Sequence, residues 1–411
     1  MANKVPGVVI IGAGHGGTQL AASLRDLGHA GSIDLISADP DHPYHRPPLS
    51  KSFMKSPDAA LQPLRAEIFF ADRDIHLHLG RSVIGLDRAA KKVTLDNGAA
   101  LDYDNLVLAT GAEARGLTLP GADLPGTFTL RTATDARALR AALPASGNVV
   151  VIGGGFIGLE AAAMLTGRGL KVTVAELAPR LLGRSTSPMV AQAVADQLVE
   201  IGVRVLTGVS VEAIEGAEQV NAVRLADEVL PADLVIVGIG AVPVTGLAGA
   251  AGLGLDNGIA VDAYLATSDP AIWAIGDCAS FPRGAKRLRL ESVQNTTDQA
   301  RVVAATLTGT PTQYHPVPWF WSDIGPMKLQ IVGFADQADE AIETFDGAGR
   351  LKSVYHLASG RLVAVETLNS QDEHMPARRL LADGITPPRE VMISGDAGRI
   401  KAAWRAASAS A

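Results

Sequence analysis

Val8-Val9-Ile10-Ile11-Gly12-Ala13-Gly14-His15-Gly16-Gly17 decides the fold of this chain. The apolar run predicts a strand, and the glycines at G-x-G-x-x-G spacing predict a tight turn into a helix over Thr18 to Leu27. Bare glycines let the chain turn sharply and let a pyrophosphate approach the main chain with no Cβ in the way. They also let the helix pack on the strand with its N-terminal amides facing the anion. The pattern returns at Val149-Val150-Val151-Ile152-Gly153-Gly154-Gly155-Phe156-Ile157-Gly158, ahead of a helical run from Leu159 to Arg168. Each unit then supplies an acid after its next strand. Ile33-Asp34-Leu35-Ile36 leads to Asp39, and Val172-Thr173-Val174 leads to Glu176, both placed to accept the ribose hydroxyls of an adenosine. One such turn is weak and is also read as a plain β–α turn; two in full context point to two dinucleotides, hence a redox pair.

A length of 411 residues exceeds one ordinary core and implies about two or three domains. A formal charge of −7 gives no global attraction for nucleic acid, so any basic partner site must be local. The first strand begins at Val8, which leaves no room for a signal peptide, and no apolar run approaches the ~18 residues of a membrane span. A cytoplasmic protein is expected. Cys278 is the one cysteine, so no internal disulfide forms. His42, His45, His76 and His78 lack a convergent ligand set and read as surface imidazoles, with no metal expected.

Three further apolar strands end in small residues that let a ligand approach the backbone at the carboxyl edge of a sheet. They are Leu106-Val107-Leu108 before Ala109-Thr110-Gly111, Leu234-Val235-Ile236-Val237 before Gly238-Ile239-Gly240, and Ala271-Ile272-Trp273-Ala274-Ile275 before Gly276-Asp277. The expected fold is α/β, with two Rossmann-like dinucleotide-binding domains, one inserted in the other, and a C-terminal α+β domain. The first domain covers 1–115 and 245–318, the inserted one 116–244 and the last 319–411. Alternation at Lys328-Leu329-Gln330-Ile331-Val332 and Arg361-Leu362-Val363-Ala364-Val365 predicts an antiparallel sheet in the last.

With these residues in place, the chain resembles the NADH-dependent ferredoxin reductases of the putidaredoxin-reductase type, within the glutathione-reductase-like flavoproteins. The most specific stretch is Pro43-Tyr44-His45-Arg46-Pro47-Pro48-Leu49-Ser50-Lys51. Glu291-Ser292-Val293-Gln294-Asn295 and Pro318-Trp319-Phe320-Trp321-Ser322-Asp323 support it. The resemblance implies FAD in the split domain, with Gly12, Gly14 and Gly17 at its pyrophosphate, Asp39 at its ribose and Arg46 near its phosphates. It further implies contacts from Ala109, Thr110 and Gly111, from Asp277 to the ribityl chain, and from a helix beginning near Val293 to the end of the flavin that gains charge on reduction. Asp277 is also readable as a helix N-cap.

NADH is implied in the inserted domain, on Gly153, Gly155, Gly158, Gly238 and Gly240, and Arg131 is implied as a further cofactor contact. A carboxylate at Glu176 favours the 2′-hydroxyl of NADH over the 2′-phosphate of NADPH, while Arg180 and Arg184 are placed to soften that preference. Lys51 is implied beside the reactive flavin edge, paired with Glu160. The other reading of that pair is a plain salt bridge. Disulfide reductases of this fold carry a Cys pair near the flavin, and NADH oxidase and peroxidase relatives carry one Cys after the second strand; here that stretch is Pro47-Pro48-Leu49-Ser50-Lys51, and Cys278 reads as a buried structural residue. Electrons therefore leave the flavin directly.

NADH gives up a hydride, so a flavin must store two electrons and release them singly, and a [2Fe-2S] ferredoxin accepts one at a time. The resemblance implies that this ferredoxin serves a cytochrome P450 or Rieske oxygenase. Trp321, with Trp319, is implied at the exit edge, core packing being the alternative for both. Arg283, Lys286, Arg287 and Arg289 form a basic run that either steers an acidic partner or is a solvated face. Ile324-Gly325-Pro326-Met327 departs from the usual pattern and bears on partner choice. Rubredoxin, a quinone or oxygen as acceptor, or an NADH-responsive regulatory flavoprotein, are the competing readings.

Overall fold

The strand Val8–Ile11 lies at the centre of a five-stranded sheet in the computed structural model, which describes residues 5–56 and 58–409. The chain divides into two compact units. The first comprises Met1–Pro48, Ala60–Glu113 and Ala241–Pro316. Its main sheet runs in the order Ile272–Ala274, Asn105–Leu108, Val8–Ile11, Ile33–Ser37, Ile75–Leu79, with every pair parallel. Such strands are covered on both faces, which is why Val8–Ile11 is apolar throughout and fully buried. The chain fills one side of the central strand and then the other, so strand order reverses between Val8–Ile11 and Asn105–Leu108. Open α/β sheets bind ligands outside the carboxyl ends at that reversal.

The second unit comprises Leu49–Ala59, Ala114–Gly240 and Val317–Ala411. One of its sheets repeats the first plan, in the order Arg204–Thr207, Lys171–Glu176, Asn148–Ile152, Leu234–Val237, Thr127–Phe128, again all parallel. A second sheet is antiparallel, in the order Trp319–Ile324, Met327–Gly333, Arg361–Leu368, Leu351–Ala358, Glu340–Phe345. Its apolar core includes Val332, Tyr355 and Val365, joined by Leu380 and Ile400 from the helices Gln371–Ala382 and Ala397–Ser408.

Leu49–Ala59 groups with the second unit, although it falls within the stretch 1–115 expected in the first domain. The cause is a set of polar ties: Ser50 and Lys51 bond Glu160, and Arg140 and Arg168 bond main-chain carbonyls of the segment. Two small antiparallel sheets, Val83–Asp87 with Lys92–Leu95 and Ala100–Asp102, and Val211–Gly216 with Val220–Leu225 and Val229–Pro231, are additions to the expected plan. Their strands are half exposed and carry little periodic signal. Among the described residues no helix is long and apolar enough to cross a membrane.

Candidate active site

The two glycine turns have the same construction. Gly12 N–H donates to Ile36 and Ala109 N–H to Ile11; in the second unit Gly153 N–H donates to Ala175 and Gly238 N–H to Ile152, every one at 2.8 Å. Gly12 and Gly153 take φ of +109° and +107°, which favours glycine. A Cβ on Gly12 would stand 2.2 Å from the Ala109 carbonyl oxygen, and one on Gly153 would stand 2.5 Å from that of Gly238. The last glycines, Gly17 and Gly158, are required for close packing, since a Cβ there would meet the oxygens of Gly12 and Gly153 at 1.9 and 2.5 Å.

The middle glycines differ. A Cβ on Gly14 would touch nothing within 4 Å, and one on Gly155 only the Gly238 oxygen at 3.6 Å. Both glycines are helix N-caps, of His15–Asp26 and Phe156–Thr166, and neither helix has a side-chain cap bond. Bare main chain facing open space at a helix N-terminus fits the pyrophosphate of a dinucleotide.

Around the first turn, Tyr44 Oη donates to Asp39 Oδ2 at 2.7 Å and the Asp41 amide to Oδ1 at 3.1 Å, which fixes the carboxylate beyond Ile33–Ser37. Arg46 is half-buried. Thr110 Oγ1 donates to the Val244 carbonyl at 2.7 Å, and Gly111 turns the chain at φ +72°. Gly276 N–H donates to Gln299 Oε1 at 2.7 Å, from a helix that begins at Val293 and is capped by Ser292. Asp277 lies in the short turn Gly276–Cys278 and is not that helix's cap.

Around the second turn, Glu176 ends its strand and accepts from the amides of Gly154 at 2.5 Å and Ala178 at 2.6 Å. Its carboxylate is thereby fixed at the turn. Arg180 is spent within its own loop, donating to the carbonyls of Thr186 and Gly183 at 2.7 Å each. Arg184 is exposed, and its Nη2 lies 3.6 Å from where a Cβ on Gly240 would stand. Arg131 is half-buried just ahead of the capped helix Ala133–Ala142, its amide donating to Asp135 Oδ2 at 3.0 Å.

Glu160 is 4% exposed, on the helix Phe156–Thr166. Lys51 Nζ stands 2.7 Å from Oε2, Ser50 Oγ donates to the same oxygen at 2.6 Å, and Ser322 Oγ donates to Oε1 at 2.7 Å. A buried carboxylate is tolerated when it is paired and its lone pairs are filled, as here. In sequence the serines stand out only as members of their motifs; their role depends on the register that turns Ser322 away from the Trp321 face.

Trp319 and Trp321 stack at 5.4 Å, and the Arg378 guanidinium lies 4.1 Å from the Trp319 ring centre. Trp319 also packs against the C-terminal core, whereas Trp321 is half-buried one register step further on. At Gly325-Pro326 the apolar flanks Ile324 and Met327 oppose each other and are buried, so only a two-residue tip, with Gly325 at φ +60°, is exposed. That is the geometry of a primed hairpin turn.

The basic run is partly consumed by structure. Arg287 donates to the carbonyls of Val261 and Ser280, and Arg289 to Asp277 O at 3.1 Å and Glu291 Oε1 at 2.5 Å, whereas Lys286 is exposed. His42 lies 3.2 Å from Glu67, and His76 and His78 lie beside Asp34. Burial, then Arg65, pull His45 below the usual histidine range. Among the described residues no group of three or more His, Cys, Asp or Glu is arranged for a metal.

Cys278 is fully buried, with Sγ 3.3 Å from the Ile275 carbonyl oxygen and 3.5 Å from that of Leu108. Burial pushes its thiol up from the usual range, so the reactive thiolate is suppressed. The native holoprotein is therefore expected to show no titratable thiol with a disulfide reagent, and one after denaturation. Rapid labelling of the native protein would refute the sealed position.

The chain is similar to several known reductases. Rhodocoxin reductase from Rhodococcus erythropolis is 43% identical over 380 residues, 91% of this chain and 89% of its own. A rubredoxin-NAD(+) reductase from Pseudomonas putida is 40% identical over 368 residues, 88% and 95% of the respective chains. The crystal structure of a covalent putidaredoxin reductase–putidaredoxin complex matches with a TM-score of 0.92 at 38% identity, covering 98% of this chain and all of that one. A reductase C-terminal family matches residues 319–398. Residues 6–300 match the pyridine nucleotide-disulphide oxidoreductase family, to which this chain belongs.

Proposed function

We propose that the chain is an FAD-dependent NADH:ferredoxin oxidoreductase that supplies a [2Fe-2S] ferredoxin serving a cytochrome P450 or Rieske oxygenase. The observation that carries this is the twice-built glycine turn in a chain whose single thiol is sealed: two dinucleotides, and no disulfide to relay between them. The similarity to rhodocoxin reductase and to a reductase solved with its putidaredoxin supports the choice of acceptor. By function, residues 1–115 and 245–318 are assigned to FAD, 116–244 to NADH and 319–411 to the C-terminal domain. The cytoplasm, where NADH is abundant, is assigned as the location.

FAD is held by Gly12, Gly14 and Gly17 with Asp39, Arg46, Ala109, Thr110, Gly111, Asp277 and the helix start at Val293. NADH is held by Gly153, Gly155 and Gly158 with Glu176, Arg184, Gly238 and Gly240, and Arg131 is a further cofactor contact. Bound FAD supplies two-electron uptake from NADH and one-electron release to the carrier. Three donors hold the Glu160 carboxylate, and Lys51, 22% exposed, is the one among them that an arriving nicotinamide meets. Trp321 offers the apolar face on which the carrier docks.

The test is turnover of the purified FAD-loaded protein with NADH. It is expected to reduce a [2Fe-2S] ferredoxin faster than it reduces oxygen; faster reduction of oxygen with every ferredoxin tried would overturn the assignment. Rubredoxin is the second acceptor to assay, because a rubredoxin reductase shares 40% identity. Glu176→Gln keeps an acceptor for the Gly154 amide and removes the charge. It is expected to narrow the NADH-over-NADPH ratio of kcat/KM about tenfold, the worth of one charge-assisted hydrogen bond. An unchanged ratio would remove Glu176 from coenzyme selection.

A further inference from the structure

Lys51 leads directly into the helix Ser52–Lys55, a single turn. A turn that short cannot sustain itself, and its carbonyls need partners from elsewhere. Arg140, in the last turn of Ala133–Ala142, bonds one of them and two more just beyond Lys55. Its Nη1 donates to the carbonyls of Phe53 and Ser56 at 3.2 Å each and of Ala59 at 3.1 Å. Its guanidinium also lies 4.2 Å from the Phe53 ring centre. Arg168 Nη1 adds a bond to the Met54 carbonyl at 2.9 Å. Phe53 and Met54 are buried beneath these contacts. Upstream of Lys51 the chain is held by Ser50 on Glu160; downstream, Arg140 gathers main-chain carbonyls from both ends of the segment.

We propose that Arg140 is a positioning residue for hydride transfer, acting through the Lys51 segment to hold the ammonium on Glu160. This rests on the reading of Lys51–Glu160 as the pair that receives the nicotinamide. A guanidinium is suited to the task because one nitrogen shares its two N–H groups among the three carbonyls while the planar group lies against an aromatic ring, a contact that a lysine makes less well.

The test uses FAD-loaded Arg140→Met and Arg140→Lys proteins, each alone and combined with Lys51→Met. Amide hydrogen exchange over 52–59 and limited trypsin cleavage after Lys55 read the segment; single-turnover flavin reduction by NADH reads its effect. Arg140→Met is expected to speed exchange and cleavage and to slow reduction on the order of tenfold, as small misplacements of a reacting group do. Arg140→Lys, which keeps charge and most of the packing, is expected to fall between it and the parent. In the Lys51→Met background the Arg140 change is expected to slow reduction no further. Independent, multiplying effects would overturn the proposal, as would an unchanged segment or unchanged reduction in both Arg140 variants. Normal reduction by Lys51→Met alone would instead sink the underlying reading of the ion pair, a result separable from the first because the segment readout does not depend on it.

Discussion

Gly17→Ala is expected to yield protein that purifies without flavin, and Gly14→Ala protein that folds normally but binds FAD weakly. The two changes add the same methyl group at two points of one turn. At Gly17 it would stand 1.9 Å from the Gly12 carbonyl oxygen and 3.2 Å from Ile10 Cγ2, so strand and helix must part. That overpacking costs about 3 kcal/mol or more and dismantles the turn itself. At Gly14 the methyl meets no protein atom within 4 Å, and the backbone, at φ −70°, accommodates alanine without strain. What it obstructs is the approach of the pyrophosphate. The flavin-to-protein absorbance ratio, with thermal unfolding of the apoproteins, separates the two. Stoichiometric, tight FAD in Gly14→Ala would show that the anion lies elsewhere.

Trp321→Ala is expected to lower kcat/KM for ferredoxin about 30-fold, the loss typical of truncating an aromatic anchor at an interface. NADH-driven ferricyanide reduction, which needs no protein docking, is expected to stay within about twofold, since rim and anchor residues act on association and not on flavin chemistry. Trp319 serves as the contrast. It is clamped by Arg378 and packs into the C-terminal core, so Trp319→Ala is expected to lower thermal stability along with coupling. Equal losses in both assays for Trp321→Ala would assign its ring to the flavin or the core; no loss in either would remove it from the exit path.

The parts of this site that are local in the chain are legible in its amino-acid order. A strand, a glycine turn and a helix start fall within about ten residues of one another, and steric demand on each glycine is set by immediate neighbours. Asp39 and Glu176 are legible for the same reason, each lying at the end of the adjoining strand. Ser322 on Glu160 is not, because it depends on which face of an antiparallel strand turns inward. Arg140 is not either: a basic residue in an amphipathic helix gives no sign that it collects carbonyls more than 80 positions away. The basic run near Arg287 shows the converse error of composition, since charge that looks available in sequence is partly bound to backbone oxygens across a hairpin.

The sealed position of Cys278 has a practical side. A chain with one thiol, and that one enclosed among Ile275, Leu108 and their neighbours, is in effect a cysteine-free background for surface chemistry. A cysteine introduced on an exposed residue such as Met375 or Lys286 becomes a unique attachment point without removal of the native one. Spin labels, fluorophores or a reversible tether to a carrier can then be placed at such positions in turn, and the positions compared in otherwise identical enzyme.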